Sequence, residues 1–321
     1  MNQAGTSLYT MPMDEKMRIQ LPLNLMKRIP RKPKQYKQPY SNGCHQLLTT
    51  SNSKNMKFTY ITLSLFLLIG TSCEKVIDID LKDASPELVI EAVIYKGEND
   101  FTVKVSRTAP YFDNTPTEKI DNAKVSLKFE GETLDIPNVG RGEYITFLNA
   151  KVNTAFLLEV EVDGKSYSAT TDLIEKVAID SVYYEYQEAF GPREAGYTVF
   201  VQFTDPAATN FYRLTHSLNG VYQNGNNDLQ VMEDSKINGN KTHFPIRGKI
   251  FEVGDKIDVQ FIHFDEASYD YFNSLADIIN TGGGPNGGSA APGNPLSNWS
   301  NNALGYFSAY SYDTASIIIV E

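Results

Sequence analysis

The chain has 321 residues, 29 Lys and Arg against 39 Asp and Glu, a net charge of −10 and only 2 cysteines. That length is enough to bury a sizeable core in one large or two smaller domains. The acidity argues against phosphate-backbone binding, so no nucleic-acid partner is expected, and the cysteine count excludes a disulfide-dense scaffold.

Residues 1–55 carry nine Lys and Arg and two acidic residues, with no sustained apolar period. The stretch "RIPRKPKQYKQPYSNG" (28–43) is basic, proline-bearing and unable to bury a core. A nucleic-acid arm is one reading of such a run, and a long n-region on a true precursor is another. The expectation taken here is that translation begins at Met56 and that 1–55 is a non-native extension absent from the mature protein.

From Met56 the chain reads "MKFTYITLSLFLLIGTSCEK" (56–75): a basic residue, an apolar run of about eleven residues, then small residues and a cysteine. That is the order of a signal peptide, and the run is too short for the roughly 20 residues of a membrane span. Gly70-Thr71-Ser72-Cys73 resembles a bacterial lipoprotein box. The resemblance implies a signal peptide over 56–72 that is cut before Cys73, which then carries the acyl chains. An ordinary secreted protein with a chance cysteine is the rival reading. Two or more chains hold a protein stably at a membrane, whereas one does so only marginally. With Cys44 discarded and Cys73 lipidated, no thiol remains for a disulfide, a zinc site or a nucleophile. Residues 73–321 then hold 19 basic and 37 acidic residues, a net charge near −18.

Residues 73–86 read as a tether. After Pro86 the hydrophobic period is two. "LVIEAVIY" (88–95), "FTVKVS" (101–106), "KVSLKFEGETLDI" (124–136) and "FLLEVEVDGKSYSAT" (156–170) alternate apolar and polar positions. Glu130-Gly131 and Asp163-Gly164 stand where tight hairpins need positive φ. Short alternating strands with regular turns predict an Ig-like β-sandwich over 87–177. A second β-rich domain is expected over 178–321, with strands in "IDSVYYEY" (179–186), "YTVFVQFTD" (197–205), "NFYRLTHSLNG" (210–220), "GKIFEVGDKIDVQFIHF" (248–264) and "TASIIIVE" (314–321). One helix is predicted over 265–280, with Asp265 as N-cap and Phe272, Leu275 and Ile279 at helical spacing. The glycine-rich stretch 281–295 follows a helix and lacks a lysine, so it reads as a surface loop and not a phosphate cradle.

Candidate chemistry is sparse. His216 falls on one strand face with Tyr212, Leu214 and Leu218, and His263 with Ile257, Val259 and Phe261. Two such histidines would have to meet to hold a metal, and no ligand spacing supports it, so each reads as a hydrogen-bonded core histidine. "DSKING" (234–239) has Lys236 where a calcium loop needs an oxygen ligand, and reads as a turn. There is no Gly-x-Ser-x-Gly elbow, and sequence alone pairs no two carboxylates for acid–base work. No catalytic residue, metal or cofactor is assigned. Two aromatic sets, Tyr183, Tyr184 and Tyr186 on a strand and Tyr269, Tyr271 and Phe272 on the helix, are candidates for a sugar- or peptide-binding platform, or else for core.

"NPLSNWSNNALGYFSAYS" (294–311) resembles the closing segment of an uncharacterised family of Bacteroidota envelope lipoproteins, in which Asn-Pro leads to Gly-Tyr-Phe, here Asn294-Pro295 and Gly305-Tyr306-Phe307. "CEKVIDIDL", "LVIEAVI", "IDSVYYEY" and "FTDPAATNFYRL" (203–214) are similar to the same family, so the likeness spans nearly all of 73–321. It implies an outer-membrane protein found beside TonB-dependent receptors, with no catalytic residues to carry over. The expectation is a mostly β, lipid-anchored, non-enzymatic accessory that captures an unknown ligand for, or docks onto, such a receptor; the membrane face is left open. A structural or adhesive envelope module is the second reading, and a hydrolase with unidentified carboxylates the third.

Overall fold

The computed structural model describes residues 86–109, 116–225, 227–281 and 293–321, all within one compact unit. The 1–55 extension, the 56–72 signal, Cys73, the tether up to residue 85 and residues 282–292 of the glycine-rich loop lie outside the described residues.

The fold is mostly β, as the period of two predicts, with several sheets and, among the described residues, one α-helix. Its spine is a nine-stranded sheet. From one end it comprises β12 (Val221–Tyr222), β11 (Phe211–Leu218), β15 (Lys256–Phe264), β16 (Leu304–Ile318), β1 (Leu88–Tyr95), β2 (Gly97–Arg107), β6 (Glu143–Ala150) and β5 (Asn138–Gly140), with β13 (Gln230–Glu233) beside β11. Two smaller sheets sit side by side on one face of this spine. One runs β4 (Glu132–Ile136), β3 (Lys124–Phe129), β7 (Thr154–Val162), β8 (Lys165–Leu173); the other runs β14 (Lys241–Pro245), β10 (Gly196–Thr204), β9 (Ile179–Gln187). Helix α1 (Glu266–Thr281) covers the opposite face.

Alternation explains the layers. In β1, Ile90, Ala92 and Ile94 enter the core under β3 and β7, while Val93 and Tyr95 turn toward α1. In β15, Ile257, Val259 and Phe261 enter the core under β10, while Ile262 and Phe264 meet the helix. The hairpins Glu130-Gly131 and Asp163-Gly164 take positive φ at all four residues, joining strands whose registers close at Phe129↔Glu132 and Val162↔Lys165. A side chain can enter that region only with strain, and glycine does so freely. Asp265 caps α1, its Oδ1 accepting from Ser268 N at 2.9 Å.

β16 is shared by the two sandwiches. Its first half pairs in parallel with β1 (Val89↔Leu304 to Tyr95↔Tyr310), and its second half pairs antiparallel with β15 (His263↔Ser311 to Lys256↔Ile318). The pattern over 314–321 marks only the second half of this strand. The first half is buried on both faces from Tyr306 to Ser311 and so does not alternate. Phe307 and Ala309 complete the core of the first sandwich, so that sandwich takes residues from both sequence blocks.

The segment before β16 protects an exposed edge. Ser300 Oγ accepts from Ser168 N (2.8 Å), Asn301 Nδ2 donates to Ser166 O (2.7 Å), and Asn298 Nδ2 donates to Thr170 O (3.3 Å). Asp265 accepts from Asp172 N at 3.1 Å. Side chains therefore occupy backbone groups of β8 that would otherwise template another strand.

Candidate functional site

The outer face of the β9–β10–β14 sheet carries an aromatic ridge. Alternation in β10 sends Val199, Val201 and Phe203 into the core and leaves Phe200 outside. Register places Tyr183 and Pro245 on either side of Phe200, and His243 opposite Gln202. Tyr183 stacks on Phe200 with centroids 5.1 Å apart and planes at 13°, and His243 meets Phe200 edge-on at 5.2 Å. Tyr183 and Phe200 are partly exposed and His243 is exposed. Such ring pairs contribute about 0.5–1.5 kcal/mol beyond burial, which orders the ridge while the rings stay accessible to solvent in part.

Polar groups border the rings. Ser181 Oγ donates to Gln202 Oε1 (3.2 Å), Thr204 Oγ1 donates to Asp180 Oδ2 (2.8 Å), and Lys241 Nζ lies 3.8 Å from the same carboxylate oxygen. Partial burial, followed by the nearby Glu185 charge, raises the Tyr183 phenol pKa, so it is a neutral donor at physiological pH. An aromatic ridge flanked by hydroxyl, amide and charged groups can hold the apolar CH face of a ligand while hydrogen-bonding its rim.

Of the strand set read from the sequence, Tyr183 belongs to this ridge. Tyr184 turns the other way and its hydroxyl bonds the backbone of Val320 (3.1 Å), and Tyr186 packs edge-on against Tyr197. Tyr271 and Phe272 lie under α1, on the far face of the spine, where Tyr271 stacks on Tyr306 at 4.6 Å. The two aromatic sets therefore do not form one platform. Phe200 and His243 went unnoticed in the sequence because only strand register joins them to Tyr183.

His216 and His263 share a face but do not meet: Tyr212 stands opposite His263 on β11, one turn of alternation and more from His216, which is opposite Val259. Burial depresses both histidine pKa values. His263 Nδ1 lies 2.5 Å from Glu175 O. Nearby, the "FTDPAATNFYRL" segment builds a buried network. Tyr212 donates to Asp205 Oδ1 (2.5 Å), Gly239 N to Asp205 Oδ2 (2.9 Å), and Asn210 N to Asp234 Oδ2 (2.7 Å). Both carboxylates are thus engaged in holding loops, and "DSKING" is a turn with Ile237 N and Asn238 N bonded to Asp234 O. Among the described residues no group of three or more His, Cys, Asp or Glu is placed to hold a metal ion.

Several solved structures are similar in arrangement at low identity. A cytokine receptor complex chain is 11% identical, with 71% of this chain and 95% of that chain covered and a TM-score of 0.25. The chicken interferon gamma receptor alpha chain is 11% identical (74% and 100% covered, TM-score 0.19). A Bacteroides uniformis protein to which carbohydrate binding is attributed is 12% identical (62% and 89% covered, TM-score 0.19). None of these likenesses carries an argument about activity. No curated protein matches the chain. Residues 74–316 match the family described as a domain of unknown function, DUF4249, and the chain belongs to that family.

Proposed function

We propose that the protein is a non-enzymatic, lipid-anchored envelope module of the outer membrane that captures a ligand for, or docks onto, a TonB-dependent transporter. The observation that carries the binding part is the ridge of Tyr183, Phe200 and His243 on the outer face of the β9–β10–β14 sheet, where the three rings pack on one another and stay partly or fully exposed. Its chemistry suits a sugar ring: aromatic surface for CH groups, with Gln202, Thr204 and Asp180 beside it for hydroxyls. Anchoring through Cys73 would confine the module to the plane of the membrane and raise its effective concentration near a transporter.

The test is binding of the full chain in mild detergent to a panel of soluble oligosaccharides, against a Tyr183→Ala/His243→Ala double variant of unchanged fold. The expected result is saturable binding of at least one glycan, weakened tenfold or more in the variant. Equal binding by both proteins, or by neither, sinks the ridge as a glycan site. A structural envelope module is the second reading, favoured by one observation: β16 is shared by both sandwiches, which makes their junction stiff.

A further inference from the structure

A polar groove of about 300 Å³ crosses the outer face of the β4–β3–β7–β8 sheet at its β8 edge. Alternation buries Val125 and Leu127 of β3, Leu158 and Val160 of β7 and Ala169 of β8, so the residues between them face outward. Register sets these outward side chains in two rows across the groove floor. One row is Ser126, Glu159 and Ser168; the other is Lys124, Glu161 and Ser166. Ser300 and Asn301 form the wall beyond β8. Their neighbour Trp299 fixes that wall to the first core, its Nε1 donating to Ile90 O at 3.0 Å.

The groove keeps hydrogen-bonding capacity that the fold does not use. Ser300 Oγ accepts from Ser168 N (2.8 Å) and Ser168 Oγ (3.2 Å), which leaves its own proton to donate. Asn301 uses Nδ2 on Ser166 O (2.7 Å), which leaves Oδ1 to accept. Lys124 and Glu161 stand opposite each other on β3 and β7. Among the described residues, neither is within ion-pair distance of a partner. Glu159 is paired, with Lys128 at 2.7 Å.

We infer that this groove binds a neutral, polyhydroxylated ligand of the size of one sugar ring. Charge selects against ions: Lys124 and Lys128 balance Glu159 and Glu161, so a charged ligand meets no net opposite charge. Apart from Val160 and Tyr167, every lining residue is a serine, glutamate, lysine or asparagine, so an apolar ligand finds little surface. A ligand with many hydroxyls can donate to the carboxylates and to Asn301 Oδ1 while accepting from Lys124 and the serines, which matches the mixed donors and acceptors of the two rows. The volume stands at the lower end of the roughly 300–1,000 Å³ of ligand pockets, which limits the ligand to a single ring or a short polyol. The groove lies on a different sheet from the aromatic ridge and does not depend on the glycan reading there.

The experiment titrates the full chain in mild detergent with glucose, galactose, mannose and sorbitol, by calorimetry and thermal unfolding. Glucuronate serves as the anionic counterpart and glucosamine as the cationic one. Glu161→Ala, Ser126→Val and the ridge variant Tyr183→Ala/His243→Ala are compared with wild type. Expected is saturable binding of at least one neutral compound, with a rise in Tm and no change in the ridge variant. Binding should be about fivefold weaker in Glu161→Ala, which loses a charged acceptor, and about tenfold weaker in Ser126→Val, which puts methyl groups on the floor. The charged counterparts should bind about fivefold more weakly than the neutral compound. Absence of saturable binding for all four neutral compounds, or equal binding by wild type and both groove variants, overturns the site. Binding lost in the ridge variant and kept in both groove variants belongs to the ridge and overturns it as well. Should one groove variant fail to fold, the other decides alone. Glucuronate or glucosamine binding more tightly than every neutral compound overturns the assignment to neutral ligands.

Discussion

Gly305 lies against the backbone of Ile90: a Cβ at Gly305 would come within 2.1 Å of the Ile90 carbonyl oxygen, and its φ is +91°. The parallel pairing of β1 with β16 therefore admits only glycine there, which accounts for the glycine of Gly305-Tyr306-Phe307 in this chain. Tyr306 then faces α1 and Phe307 faces the first core. Gly305→Ala should cost about 2–4 kcal/mol through strain and loss of strand pairing. Urea unfolding checks this, and an unchanged midpoint contradicts the close approach.

Asn298 performs a related task. Its Oδ1 accepts from Phe307 N (3.0 Å) and its Nδ2 donates to Phe307 O (2.7 Å), so one side chain satisfies both backbone groups of a buried residue. Asn298→Ala leaves both unmet and should cost about 2–3 kcal/mol. Asn298→Asp keeps the acceptor but sets a carboxylate oxygen against the Phe307 and Thr170 carbonyls, so it should cost at least as much. Denaturant midpoints that rank the two variants in the reverse order would count against this role.

On the ridge, stability and binding should separate. His243 is exposed, so His243→Ala should leave stability within about 0.5 kcal/mol and still weaken glycan binding severalfold. Phe200→Ala removes the ring that Tyr183 stacks on, and should lose about 1 kcal/mol of stability together with most of the binding. Calorimetric titration of each variant with the best glycan, beside its unfolding curve, distinguishes the two effects.

Acid should destabilise the fold through the two buried histidines. Burial depresses the pKa of His216 and of His263, so the unfolded chain takes up protons near pH 6.5 while the folded chain does not. Above that pH neither state is protonated and no penalty arises. Stability then falls as pH drops from about 6.5 toward the depressed folded values. His216→Leu should flatten this decline over pH 7 to 5, measured as Tm against pH. A slope identical to wild type would mean that His216 is not held neutral.

The local rules were legible and the long-range ones were not. The Glu130-Gly131 and Asp163-Gly164 hairpins, the limits of β1 and the Asp265 cap follow from nearest-neighbour chemistry, and the structure has them where the sequence pattern places them. β6 escaped because Phe147 is exposed among apolar neighbours, which spoils its alternation. The first half of β16 escaped because both its faces are buried. At the ridge, Tyr183 was visible as part of an aromatic run, but its partners come from strands 17 and 60 positions away, joined by register alone. The burial of Arg213 gave no signal at all, since an arginine in an alternating strand reads as an outward charge until α1 is seen to cover that face.

The most direct measurement is co-purification from the native envelope. The full chain carries a C-terminal tag, the membrane is solubilised in mild detergent, and Cys73→Ala serves as the unanchored control. The account predicts a TonB-dependent receptor recovered in near-equal amount with the wild type and lost with Cys73→Ala. Recovery of the protein alone, or equal recovery of the receptor with the unanchored variant, would contradict it.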